Sequence, residues 1–452
     1  MTATVTRTTH AGPEHDRLMR RRRYFGLVAI LTVVAVSVAG YFSLALGIRP
    51  IQITPFTHYQ RAPYVQTFDP IALVLSGRSA DSRGLDYPVS PLQLRAVVVS
   101  PGEVRMIESG QTLRVVDHEG GWQIADLARA IADPAWITLK DDDQTVRLNA
   151  ALIVDGGEVA VSGVQRLNMS DAPSVFIGAT GGRLTFRGVA VDAVESNDPA
   201  VPGYQPFVMA TEGARMDISG STFTNLGWDW NSSYGVTWAE LATGSVRDSS
   251  FTHNFIGFYT NNARDIEVTD STFSHNALYG VDPHTYSSAL TFTRVTAEHN
   301  GAHGIIFSDH VTDSRVIDSV SRYNGENGIM MDEYSTANLI TGNLVAGNGG
   351  DGLVTAASAD NQFRGNRVQG NRIGVRLDPA DTASTVAVDN EVVDNRLAAE
   401  HIALGPTNHQ ASNGGQWLAP RVAAIWGLAA LGWLVAVVVA GIRARRWRPG
   451  YA

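Results

Sequence analysis

An asparagine followed a few residues later by a glycine that opens an apolar run recurs through the centre of this chain at a nearly constant interval. The segments are NSSYGV from Asn231, NFIGF from Asn254, NALYGV from Asn276, NGAHGI from Asn300, NGENGI from Asn324, NGGDGL from Asn348 and NRIGV from Asn371. Their glycines, Gly235, Gly257, Gly280, Gly304, Gly328, Gly352 and Gly374, are separated by 22, 23, 24, 24, 24 and 22 residues. A fixed period of this size, filled with β-branched residues and lacking any helical stretch, is one coil of a β-solenoid. A leucine-rich repeat shares the period, but its leucine consensus is missing. The fold expected is therefore all-β, a right-handed parallel β-helix. The repeated Asn and Gly residues are read as architecture: corners need residues that accept left-handed backbone, and side-chain amides can ladder between coils.

Stacked coils place equivalent residues in columns about 4.8 Å apart. The residue after each glycine is Val236, Phe258, Val281, Ile305, Ile329, Leu353 or Val375, so that column points inward. Alternation then turns the second and fourth positions outward, to solvent. The second holds Tyr259, Asp282, Ile306 and Met330, and the fourth holds Asn261, His284, Ser308, Asp332 and Asp378. Polar and apolar side chains sharing one face furnish a groove for sugars, with hydrogen bonds for hydroxyls and flat surface for ring faces.

Before the repeats, Ile124, Leu127, Ala128 and Ile131 recur at helical spacing ahead of Pro134, predicting a short helix that caps the open apolar end. Residues 49–121 read as an N-terminal segment with a few strands, residues 122–400 as the β-helix with its cap, and residues 401–420 as a linker. Two apolar runs, residues 24–48 and 421–442, the second uncharged from Val422 onward, have the length of transmembrane helices. Arginines precede the first run and follow the second, in basic tails 1–23 and 443–452. The positive-inside bias then predicts a two-pass membrane protein with both termini cytoplasmic and the β-helix extracytoplasmic, against the lipid bilayer. Cleavage of the first run near Ala39 is the alternative.

The chain has no cysteine, which excludes disulfides and thiolate metal sites. A net charge of -9 argues against nucleic acid as a partner. No metal site or cofactor is expected. The acidic run Asp141 to Asp143 lacks ligands at alternating spacing and reads as a solvated turn. Trp228, Trp230, Tyr234 and Trp238 are aromatic candidates for stacking on sugars, with core packing the competing role for Trp238.

The segment Tyr279-Gly280-Val281-Asp282-Pro283-His284 sets an imidazole and a carboxylate on the same outer face, behind a phenol. Proline inside a strand breaks the local rule, and such breaks mark functional positions. The runs LYGVDPHTYS, HGIIFSDHVTDS from His303 and NLGWDWNSSYGVTW from Asn225 resemble, in order, blocks of the bacterial mannuronan C-5 epimerases, β-helix enzymes that modify alginate. The resemblance covers roughly Ile124 to Asp378. It implies that His284 is the base removing the C-5 proton of a uronate, with Asp282 and Tyr279 beside it in the site. Tyr259, Asn261, Ser308, Asp309, His310 and Asp332 are the candidate substrate-binding residues.

Two positions depart from the family pattern. Thr285 replaces an aspartate, and Asp309 with His310 stands where the family has an arginine that neutralises the substrate carboxylate. Proton abstraction beside a carboxylate needs that charge offset. Arg264, Arg294, Arg315 and Arg322 are the substitutes considered, and a protonated His310 is another. The expected partners are an acidic polysaccharide and exopolysaccharide synthesis or export machinery. Polysaccharide lyase chemistry shares the first step with epimerisation. Hydrolysis by Asp282 and Asp332, two coils or roughly 10 Å apart, ranks below both. From another class comes a catalytically silent β-helix that binds or guides an exopolysaccharide during export.

Overall fold

The computed structural model describes residues 71, 94–140, 142–170, 175–193, 204–229 and 233–413. Nearly all of the regular structure is strand, arranged in three long sheets of 14, 11 and 13 strands, called A, B and C here. Beyond the antiparallel strands at the N-terminal edges of A and C, successive neighbours within each sheet are one coil apart in sequence and pair in parallel, as Tyr259 with Asp282 and Phe273 with Ala297 show. The chain thus visits A, then B, then C, and returns to A one coil further on. This is the parallel β-solenoid of the right-handed type, the hand that strand twist favours.

The core is made of the inward columns. In sheet C, Phe223, Phe251 and Phe273 stack face to face with ring centroids 5.1 and 4.9 Å apart. Phe258, Phe292 and Phe307 meet them from the other sheets, all fully buried. Each coil's apolar face is useless alone and is buried only by its neighbours, so stability accumulates coil by coil.

At the corner between sheets C and A, the repeated asparagines form a buried ladder. Asn276 donates from its backbone N–H (3.1 Å) and its Nδ2 (2.9 Å) to Asn300 Oδ1, and Asn300 repeats both bonds to Asn324. The same Nδ2 groups also reach strand carbonyls, such as Phe273 O from Asn300 at 3.1 Å. The backbone N–H groups of Asn254, Asn276, Asn300, Asn324, Asn348 and Asn371, which would otherwise be orphaned at the corner, are satisfied this way.

The glycines of the repeat serve a different purpose from the one expected. From Gly257 to Gly374 none of the anchoring glycines has a positive φ. What they lack is room: a Cβ on Gly280 would stand 2.6 Å from Gly304 O and 2.7 Å from Asn300 Nδ2. The left-handed corners fall instead on the residues just before the asparagines, His253, His275, His299 and Tyr323, and then on two other glycines, Gly347 and Gly370. The two halves of the motif are one device, in which an amide ladder needs a neighbour without a side chain.

The helix α1 spans Ile124–Ile131, and Ile124, Leu127, Ala128 and Ile131 are its buried residues. They join the main core beside Trp122 and Ile137, at the N-terminal edges of sheets B and C. A left-handed Ala132, whose N–H bonds to Ala128 O, ends the helix ahead of Pro134. Before it, β1 (Arg95–Ser100), β2 (Glu103–Glu108) and β3 (Gln111–Asp117) form an antiparallel meander. Strand β1 also pairs in parallel with Ala151–Asp155, so sheet A begins ahead of α1.

The two-pass membrane topology is corrected. Among the described residues no helix is long and apolar enough to cross a membrane. Helix α1, with 8 residues, reaches only about 12 Å of the roughly 30 Å of a hydrocarbon core. The runs 24–48 and 421–442, and the basic tails beyond them, lie outside the described residues.

Candidate active site on the outer face of sheet A

The second-position column can be followed along sheet A by its pairing. It reads Val98, Ile153, Gly178, Met209, Thr237, Tyr259 and Asp282. Past Asp282 come Ile306, Met330, Val354, Arg376 and Glu400. The fourth-position column runs Ala239, Asn261, His284, Ser308, and later Asp332 beside Ala356. The register expected from the glycines is therefore the one observed.

Exposure is the correction. These outward positions are shielded from solvent: Asp282 is 2% exposed, Tyr259 5%, and Asn261 and Ser308 7% each. Four polar side chains in adjoining coils are thus held out of water, two of them without a full set of partners. Asp282 Oδ1 and Asn261 Oδ1 are buried acceptors with no hydrogen bond. Such orphans carry a desolvation cost that a ligand can repay.

Electrostatics follow from this burial. Desolvation holds the Asp282 carboxyl well above the usual carboxylate range, Asp332 pushes it further, and a hydrogen bond from Ser308 opposes both. Asp332 is pushed up to about 6, by burial and then by Glu333. Burial pulls the His284 imidazole below its ordinary value, with Asp309 opposing, so the ring is neutral at pH 7. Tyr259 is held protonated by burial and by the nearby Tyr234 and Asp282.

His284 is fixed in place from several directions. Its Nδ1 lies 2.6 Å from Thr285 Oγ1, and its backbone N–H reaches Thr260 Oγ1 at 3.3 Å. The ring of Tyr259 sits 5.7 Å away, itself in edge contact with Tyr234 at 4.8 Å. The structure thus brings Tyr259, Asn261, Asp282, His284, Ser308 and Asp309 into one neighbourhood. Asp332 joins it through its charge.

Tyr279 stands at the opposite end of the same strand. It packs against the outer apolar group of Ile306, Met330, Val354 and Ala356, and its ring stacks on His303 at 5.2 Å. His303 belongs to a third outward column, just before the glycines, that the sequence reading did not assign. Its Nδ1 accepts from Asn327 N–H at 3.2 Å, and burial pulls it down to about 4. Counting one residue backward from each glycine, as well as forward, finds Tyr279, His303, Asn327 and Asp351.

His310 holds Asp309 by an Nδ1 contact of 2.7 Å in the turn after the strand. The four arginines considered as substitutes serve elsewhere. Arg294 makes a twin bond to Asp270 at 2.7 Å, Arg322 pairs with Glu298, and Arg315 projects exposed from sheet B. Arg264 stands 3.9 Å from Asp265 and is more than half exposed. Arg376 does lie on the second column, four coils from Asp282, but it is paired with the buried Asp351.

Other aromatic candidates separate cleanly. Trp238 is core, donating to Met216 O at 3.3 Å, and Trp228 packs on the apolar outer cluster near Tyr204. Trp230 and Asp141 lie outside the described residues. Asp142 accepts from the backbone N–H groups of Gln144 and Thr145, both at 2.9 Å, and so closes a turn.

Fold and face together define a class: a parallel β-solenoid carrying a line of shielded ionisable groups on one sheet. Comparison with known proteins narrows it. The chain is similar to the mannuronan C5-epimerase of Pseudomonas aeruginosa, 34% identical over 129 residues, which is 26% of this chain and 24% of that protein. It is similar to the mannuronan C5-epimerase AlgG of Azotobacter vinelandii, 35% identical over 189 residues, 38% of this chain and 35% of that one. The matches thus span about a third of the curated relatives' length or less. Among solved structures, the periplasmic alginate epimerase AlgG shares the fold with a TM-score of 0.57 at 22% identity, covering 67% of this chain and 84% of that one. The resemblance to mannuronan C5-epimerases is therefore shown.

The family described as periplasmic copper-binding protein (NosD) matches residues 214–417. The described residues do not fit a copper ion. No three His, Cys, Asp or Glu side chains among them converge on one point. The histidines that the repeat does align, His253, His275 and His299, stack ring on ring at 5.5 and 5.2 Å, tilted by 12° and 18°. Parallel stacked rings keep their nitrogens in separate planes.

Proposed function

We propose that this chain is a polysaccharide C5-epimerase acting on a uronan, with His284 as the base. The observation that carries the reading is the juxtaposition of His284, Asp282 and Tyr259 on adjoining coils of a shielded face, in a chain related to mannuronan C5-epimerases. A neutral imidazole can accept the C-5 proton. Its hydrogen bond to Thr285 and the neighbouring Tyr259 ring hold it in one orientation, which general base catalysis requires.

Epimerisation then needs a proton delivered to the opposite face of the sugar. Tyr279 and Tyr259 are the phenols at hand, one near each end of the strand. Burial raises the Asp282 carboxyl well above the usual range, which favours its neutral form and lessens the negative charge beside a substrate carboxylate. This eases the lack of an arginine beside His284 among the described residues.

Polymannuronate incubated with the protein in deuterated water tests the reading, since an epimerase washes deuterium into C-5. His284→Ala should lower that exchange by about 10²–10⁴-fold while the far-ultraviolet circular dichroism stays as it was. Full exchange in the variant would remove His284 from the role. The second reading, a silent glycan binder, is favoured by one observation, that no arginine of the described residues stands beside His284. Saturable uronan binding without any exchange is its signature.

A further inference from the structure

Where sheet A strands end beside the candidate site, three successive coils make the same unusual turn. Thr285–Tyr286, Asp309–His310 and Glu333–Tyr334 each have both residues in the left-handed region, with φ between 34° and 67°. None is glycine, so the conformation is strained at each of the six positions. The turns are locked to one another through Tyr286 N–H to Asp309 O at 2.9 Å and His310 N–H to Glu333 O at 2.8 Å.

This backbone produces one column of rings. Tyr286 lies 4.6 Å from His310 at 25°, and His310 lies 5.1 Å from Tyr334 at 32°. Asp309 steadies the middle ring through His310 Nδ1. Tyr286 is 47% exposed and Tyr334 55%, among the largest exposed apolar side chains described. The rings stop at the neighbouring coils, where Asn262 and Ala357 occupy the turn. Strain and exposed aromatic surface therefore coincide on three coils, those adjoining His284, Ser308 and Asp332.

We propose that Tyr286, His310 and Tyr334 form a carbohydrate-binding platform that carries the sugars flanking the one at His284. Three considerations converge. Tyr286 is two residues from His284, so a chain leaving the site meets this column first. Coils advance by about 4.8 Å, close to the advance of an extended 1,4-linked pyranose chain, so successive sugars can lie along the outward edges of the stacked rings, one to each coil. Stacked on one another, the rings turn apolar edges and the polar tips of two tyrosines outward, a pairing that suits a pyranose with its CH groups and its rim of hydroxyls. The occupant is the polysaccharide proposed above, and the inference rests on that reading.

The test uses the full chain, with Tyr286→Ala and Tyr334→Ala singly and together. Both side chains are exposed, and thermal melts confirm that the variants fold. Mannuronate oligosaccharides of two to eight sugars are titrated by calorimetry, and C-5 exchange is followed in parallel. For the wild type, affinity should climb with length until the platform is filled. Each substitution should cost about tenfold in affinity for the longest oligomers, as loss of one aromatic contact does, and under about twofold for the disaccharide. Unchanged length dependence in the double variant overturns the platform, as does a wild type whose affinity ignores length. Length-dependent binding lost in the variants, without C-5 exchange in any form, keeps the platform and removes the epimerase.

Discussion

Along the outer face of sheet A, one register is used in two opposite ways. On the N-terminal coils its second-position column is Val98, Ile153, Gly178 and Met209, buried together with Ile71, Phe176, Tyr204 and Phe207 in an apolar cluster. Gly178 is bare because Ile71 fills its place, and a Cβ there would meet Ile71 Cδ1 at 2.7 Å. A few coils on, the same column becomes Tyr259 and Asp282, equally buried but polar and only partly bonded. The backbone is the same, so orientation does not make a site. Apolar outward residues recruit the chain's own cover, whereas polar ones keep an unsatisfied demand for something else.

Exchanging the two chemistries is the strongest way to break this contrast. Met209→Asp would place a carboxylate among Phe176, Phe207 and Tyr204, at a cost of about 3–5 kcal/mol in urea unfolding. A loss under about 1 kcal/mol would mean that the N-terminal cover is loose and the contrast false.

The pH dependence of stability comes next, because the site carries two opposed titrations. Asp332, raised to about 6, and Asp282, raised as well, keep protons that the unfolded chain has released. The contribution of Asp332 is complete at low pH and is lost as pH rises through about 4 to 6, and that of Asp282 is lost as pH rises through its own raised value. His303, lowered to about 4, refuses a proton that the unfolded chain accepts, so its contribution is lost as pH falls through about 6.5 to 4. Melting temperature against pH should flatten on the alkaline side in Asp332→Asn and on the acid side in His303→Gln. Unchanged profiles would mean that these groups are wetter than the apolar cluster beside Met209.

A smaller effect of reversed sign is expected at the centre. Asp282→Leu removes a buried carboxyl with an unpartnered oxygen, so it should stabilise the fold at pH 7 by about 1–2 kcal/mol while abolishing C-5 exchange. Destabilisation would show that Asp282 is structural. The smallest change is Ser308→Ala, which removes the hydroxyl bonded to Asp282. It should cost about 1 kcal/mol or less and move the Asp282 titration further up.

Much of this was legible in the residues. The spacing of the glycines predicted the coil, its inward column and the placing of Asp282 and His284 on adjoining outward columns, because strand alternation has a period of two. Helix α1 was legible from Ile124, Leu127, Ala128 and Ile131. His303 escaped because it stands one residue before its glycine, and only the positions after each glycine were counted. The purpose of the glycines escaped too, since a Cβ on Gly280 is blocked by atoms of the next coil, 24 residues away in sequence.

Sequence alone, then, determined the solenoid, its register and the identity of the polar strip, all of them consequences of a local repeat. Only the tertiary structure decided that the strip is dry and that the four arginines considered stand away from it. It also showed the Tyr259 ring 5.7 Å from that of His284. Burial and charge are set by everything within a few ångströms, and in a solenoid most of those atoms belong to other coils.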